Sequence, residues 1–190
     1  IEKEQLKQLK SLAGTVSVPV SVKLSPFYTN VLHFISSLDA LGISGYVLFN
    51  RFFQPDIDIE KESSTFPFYL SNREDSRLPL RYTGILYGGL QGDICSSTGI
   101  MHGEDAVKML LAGASCVQVV STLYKNKVTA LESIVKGIET WMDKKGYGSI
   151  ADFRGKLSKK NSSDPAVYKR AQYVKLLLNP DIITENFSVL

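Results

Sequence analysis

Short apolar runs rich in β-branched residues alternate along this chain with apolar residues at helical spacing. In residues 19–25, Val20, Val22 and Leu24 recur at period two, which predicts a strand. Val31, Phe34, Ile35, Leu38 and Leu41 predict a helix over 30–41, with Thr29 or Asn30 able to cap it and Gly42 marking its end. Residues 45–50 form a continuous apolar run up to Asn50, as expected for a strand covered on both faces. A third strand is expected at 93–97. It is followed by a helix over 103–112, with Glu104 and Asp105 in its first turn and Gly113 as its stop. A fourth strand is expected at 116–120. The longest helix is expected over 128–145, where Leu131, Ile134, Val135, Ile138, Trp141 and Met142 form one apolar stripe suited to core packing. The N-terminus reads as charged and helical, and a short helix near 149–157 precedes a charged, partly helical tail over 159–190.

Residues 54–77 break this rhythm. They are polar, carry Pro55 and Pro67, and are too many for a simple connection. Segments 56–59 and 65–70 are the expected strands of a hairpin excursion. Pro79 then suits the first turn of a helix running to about Tyr87, closed by Gly88 and Gly89.

Strands separated by helices pair in parallel through right-handed crossovers. Four such units fit either a small open doubly wound sheet or half of a (β/α)8 barrel, whose eight units need about 250 residues. The pattern leaves both open. Composition narrows the class of protein rather than the topology. Of 190 residues, 44% are hydrophobic and 22% charged, which is globular and not disordered. A net charge of +3 is too weak to imply nucleic acid, and no run of about 18 apolar residues exists for a membrane span. Cys95 and Cys116 sit in apolar strand-like runs and read as core thiols of a reducing compartment, so the expected location is cytoplasmic. His33 and His102 have no matching ligand set, so no metal is expected. The chain starts at Ile1, as a fragment or a cleaved product would.

In either architecture the chemistry belongs at the carboxyl ends of the strands. The first strand delivers Lys23, a cation whose cost inside an apolar strand requires a partner or solvent. It can snorkel at the strand end or face an anionic, electron-rich ligand. The second strand ends at Asn50 and Arg51. An asparagine either closes off the strand or pairs with a planar heterocycle, having both donor and acceptor. The third ends in Ser96, Ser97, Thr98 and Gly99 before a helix, and the fourth in Ser121 and Thr122. Small hydroxyl residues and a glycine at two neighbouring strand ends suit a phosphate.

These segments resemble the dihydroorotate dehydrogenase family, in its divergent dihydroorotate dehydrogenase-like group, and specifically its C-terminal half. The resemblance lies in VSVKLSP (about 21–26), GYVLFNRFFQPDIDIE (45–60), RLPLRYTGILYG (77–88), STGIMHGEDAVKMLLAGASCVQVVSTLY (97–124) and WMDKKGYGSIADFRGKLS (141–158). It covers most of residues 15–158. It implies an α/β fold of the (β/α)8 TIM-barrel family, with residues 1–158 supplying the last four βα units, strands five to eight. It implies a flavoprotein oxidoreductase of pyrimidine biosynthesis that oxidises dihydroorotate, or a related small cyclic acid, by hydride transfer to FMN. Lys23 then matches a flavin-contacting lysine, and Asn50 an asparagine that meets both flavin and substrate. Ser97, Thr98, Gly99, Ser121 and Thr122 hold the cofactor phosphate, Arg51 joins Asn50 at the substrate, and Ser71 and Asn72 lie near the flavin.

The departures are Thr98 in place of the first glycine of a pair, a missing second glycine pair, and Arg51 where the family has a small polar residue. The family's catalytic base, a Cys or Ser, is expected upstream of Ile1, so this chain holds no catalytic residue and is expected to be inactive alone. A homo-oligomer or a separate N-terminal half is the expected partner, with no nucleic acid and no membrane. The alternative is a non-catalytic phosphate- or nucleotide-binding half-barrel, or a structural partner of another chain.

Overall fold

The computed structural model describes residues 1–168 and Leu178. The expected tail helix falls almost wholly outside them. Helix α1 (Glu2–Thr15) leads into β1 (Ser21–Leu24), α2 (Val31–Asp39) and β2 (Gly45–Leu48). A two-stranded antiparallel excursion, β3 (Asp56–Asp58) and β4 (Ser63–Thr65), and a 3-10 turn (Arg73–Ser76) come next. The chain continues through α3 (Arg77–Leu86), β5 (Asp93–Ser97), α4 (Gly103–Ala112), β6 (Cys116–Gln118), α5 (Ser121–Asn126) and α6 (Ala130–Lys145). Strands β1, β2, β5 and β6 form one parallel sheet in that spatial order.

Each unit forms for local reasons. The Asn30 side chain accepts the His33 N–H and caps α2, and Val31, Phe34, Ile35 and Leu38 on that helix are buried. Burial of each large apolar side chain contributes ~1.5–3 kcal/mol. They pack on Leu24, Tyr46, Leu48 and Ile94 from the helix-covered face of the sheet. At the foot of the strands, the Asp39 carboxylate accepts the Tyr46 hydroxyl and the N–H groups of Gln91 and Gly92. Burial pushes this carboxyl up, but those three donors outweigh it and hold it below the usual range. Gly103 lets α4 and α6 touch at the backbone, since a Cβ there would stand 2.7 Å from Gly137 Cα.

Several expectations are corrected by packing. The second excursion strand lies at Ser63–Thr65, not 65–70. Asp58 Oδ1 accepts the N–H groups of Glu60 and Lys61, which closes a tight turn and brings Asp58 opposite Ser63. Pro67, lacking an N–H, then stops the pairing. The last strand ends at Gln118, because Ser121 opens the unforeseen helix α5. On α6, Ile134 is buried but Leu131 and Val135 are exposed, so the apolar stripe is wider than the surface that α4 covers. Cys116 is exposed and not a core thiol, because it lies opposite Cys95 on the face turned away from the covering helices. Residues 149–157 form a 3-10 turn (Ile150–Asp152) and further turns rather than a helix. The first residues of the tail turn back onto α3, where Lys159 N donates to Gly84 O.

Candidate functional site

The carboxyl ends of β1, β2, β5 and β6 surround one cleft of about 300 Å3. Lys23, Asn50, Arg51, Ser97, Thr98, Gly99 and Ser121 all line it. Thr122 does not: it is fully buried, and its hydroxyl donates to Met101 O at 3.4 Å.

Register explains the convergence. Lys23, Val47 and Cys95 are aligned across the sheet, as are Ser97 and Gln118. Alternation puts this set on the face opposite Leu24, Leu48 and Ser96, which are buried against the helices. Lys23 Nζ donates to Gln118 Oε1 at 2.8 Å. Gln118 was missed by sequence reasoning, although the signal that singled out Lys23, a polar residue within an apolar strand, applies to it equally.

At the β5 end, Thr98 and Gly99 both adopt positive φ, +86° and +76°. Such a φ is costly for a β-branched residue, on the order of 1–3 kcal/mol. Thr98 Oγ1 offsets part of this by donating to Phe49 O at 3.2 Å. Gly99 is required where it stands, since a Cβ would meet Ser76 N at 2.5 Å. Its N–H reaches Ser71 Oγ at 3.4 Å. Ser71 is itself buried: its hydroxyl and its N–H both donate to Ser121 Oγ, at 2.8 and 2.9 Å, and Lys125 Nζ donates to its carbonyl. The segment after the excursion is thereby tied down beside the two hydroxyl-rich strand ends. Arg51 holds it from the other side, with Nη1 donating to Tyr69 O at 2.6 Å and Nε 3.4 Å from Asp75. Asn72, exposed, caps the 3-10 turn and does not line the cleft.

Behind the cleft, Asp105 carries the support. Arg73 donates twice to its Oδ1, and the N–H groups of Met101 and His102 donate to its Oδ2. Burial raises this carboxyl, but the Arg73 bonds and the two N–H groups outweigh it and hold it below the usual carboxylate range. Cys95 goes the other way: burial, aided by the neighbouring Cys116 thiol, pushes it up to about 12. Such a thiol is neither a ready base nor a nucleophile at neutral pH. Among the described residues no group of three or more His, Cys, Asp or Glu could hold a metal ion, and no helix is long and apolar enough to cross a membrane.

The donor set suits a phosphorylated planar ring. Two side-chain amides and an ammonium stand on the cleft floor, hydroxyls and a glycine N–H stand at its end, and Phe53, Phe68 and Tyr124 form an aromatic wall. The dihydroorotate dehydrogenase family profile matches residues 2–142. A dihydroorotate dehydrogenase B (NAD(+)) catalytic subunit from Methanosarcina mazei is 32% identical over 151 residues, covering 76% of this chain and 47% of its own. A dihydroorotate dehydrogenase A (fumarate) from Lactococcus lactis is 47% identical over 64 residues, 34% of this chain and 21% of its own. The fold is shared with a crystal structure of DHODH in complex with ferulenol from Eimeria tenella, at TM-score 0.55 and 22% identity, over 71% of this chain and 37% of that one. The parallel α/β sheet is thus of the TIM-barrel family. The chain spans about half the length of the curated relatives that it matches over most of its own length.

Proposed function

Because the chain belongs to the dihydroorotate dehydrogenase family, we propose that it supplies strands five to eight, the cofactor-holding part, of an FMN-dependent oxidoreductase. The reaction is oxidation of dihydroorotate, or of a related small cyclic acid, by hydride transfer to FMN in pyrimidine biosynthesis. The observation that carries this reading is the meeting of Lys23, Asn50, Ser97, Gly99 and Ser121, from four strand ends, around one cleft.

When bound, the flavin supplies a two-electron acceptor that no amino-acid side chain offers. Lys23 sets a positive charge in the cleft, where it would favour negative charge on a bound electron-rich ring. Asn50 orients a planar substrate through its paired donor and acceptor. The Gly99 N–H and the hydroxyls of Ser97, Thr98 and Ser121 would hold the phosphate, which would take the place of the Ser71 hydroxyl at Gly99 and Ser121, while Thr122 is buried. Arg51 commits Nη1 and Nε to Tyr69 and Asp75, which leaves Nη2 for a substrate carboxylate. The proton is taken by a base outside this chain, and Cys95 is unsuited to that task.

One observation favours a second reading, a non-catalytic half-barrel that partners another chain. The Ser71 hydroxyl already engages the Gly99 N–H and Ser121, so the anion cradle is satisfied from within. Titration of the purified chain with FMN, together with its mass by size exclusion, separates the two. Saturable quenching of flavin fluorescence supports the flavoprotein. A tight dimer that leaves flavin fluorescence unchanged supports the second reading.

A further inference from the structure

Gln118 stands on β6, one outer strand of the four-stranded sheet, and Lys23 stands on β1, the other. In a flat sheet three strand spacings would keep their backbones ~14 Å apart. Yet Lys23 Nζ and Gln118 Oε1 are 2.8 Å apart, so the two side chains bridge the helix-free face over the intervening strands. Ser97 Oγ donates to the same oxygen at 3.4 Å, and all three residues line the cleft. Among the described residues, Lys23 Nζ has this one hydrogen-bond partner and no ion pair.

A free lysine side chain samples many rotamers, with ~2 kcal/mol of entropy to lose on fixing. A carboxylate partner would fix the ammonium but cancel its field. An amide oxygen fixes it and leaves the charge whole. We infer that Gln118 is a positioning residue: its Oε1 holds the Lys23 ammonium at the cleft floor with its charge undiminished toward an electron-rich ligand. What the ammonium faces rests on the flavin reading; the pairing with Gln118 does not.

The test has two arms on the full chain. The first uses no cofactor. Acetic anhydride is added to the wild type and to Gln118→Met, and acetylation of each lysine is followed by peptide mass spectrometry. Lys23 should react at least about three-fold faster in the variant, because the ammonium loses the acceptor that holds it. The remaining lysines serve as internal controls and should keep their rates, which also reports that the fold is intact. Equal Lys23 rates in the two proteins overturn the inference.

The second arm reads the midpoint potential of bound FMN. Gln118→Glu should lower it in the same direction as Lys23→Met, because the new carboxylate cancels the charge. Gln118→Met should shift it in the wild type but not in the Lys23→Met background. An equal shift in both backgrounds means that Gln118 acts on the flavin without Lys23, and overturns the inference. Failure of the wild type to take up FMN sinks the flavin reading, and the acetylation arm still decides the pairing.

Discussion

The two faces of the sheet share the same four strands and have opposite fates. Leu24, Tyr46, Leu48, Ile94 and Ser96, turned to the helices, are at most 4% exposed. On the other face Lys23, Val47, Cys95, Cys116 and Gln118 are half-buried or exposed, while Ser97, at the carboxyl end of β5, is buried. The first face is apolar apart from the Tyr46 hydroxyl, which donates to Asp39 Oδ1, and Ser96, whose hydroxyl donates to Met109 Sδ. The second carries an ammonium, an amide and two thiols. A period of two thus lets each strand hold the fold on one side and present chemistry on the other.

The largest effect should come from breaking the covered face. Leu48→Ala, at a fully buried position, should cost ~2–5 kcal/mol by chemical denaturation. Its neighbour Val47→Ala, on the open face, should cost well under half as much, and equal costs would erase the contrast between the faces.

Next comes the support behind the cleft. Asp105→Ala removes two Arg73 bonds and leaves two backbone N–H groups unpaired, and should cost ~2–3 kcal/mol. Because the folded state holds this carboxyl below its ordinary value, its contribution is full above about pH 4. It is lost as the pH falls through the lower, folded-state value. Asp105→Asn should therefore flatten the acid limb of a stability–pH profile relative to wild type.

On the open face, Lys23→Met should change stability by less than about 0.5 kcal/mol. It should weaken FMN binding about ten-fold, or about 1.4 kcal/mol, in a fluorescence titration. The smallest effect belongs to Thr98→Gly. Relief of the positive φ competes with loss of the Thr98–Phe49 bond, so the unfolding free energy should stay level or rise by under about 1 kcal/mol. A clear loss would show that the hydroxyl bond outweighs the strain.

The covered face was legible in the sequence. β5 and α4 fall at the expected residues, because Gly113 and the acidic first turn mark the helix ends and the apolar runs mark the strand. The cleft was legible as a set of strand ends, since parallel topology gathers those ends wherever the strands run. Its contacts were not. Ser71 lies 50 residues from Ser121, and no local pattern announces their bond. Gln118 was visible as a polar residue in an apolar strand, but its pairing was hidden, because the period is the same whether it faces solvent or a lysine across the sheet. Leu131 and Val135 satisfy the helical period, but period alone does not say whether a neighbour exists to cover them.

A crystal structure of the chain grown with FMN decides whether these strand ends hold a flavin nucleotide. Density for the ring beside Lys23 and Asn50, with the phosphate at Gly99 and Ser121, is the expected result. Flavin density elsewhere on the molecule, or an unchanged Ser71–Ser121 contact with no flavin in the cleft at saturating FMN, would contradict it.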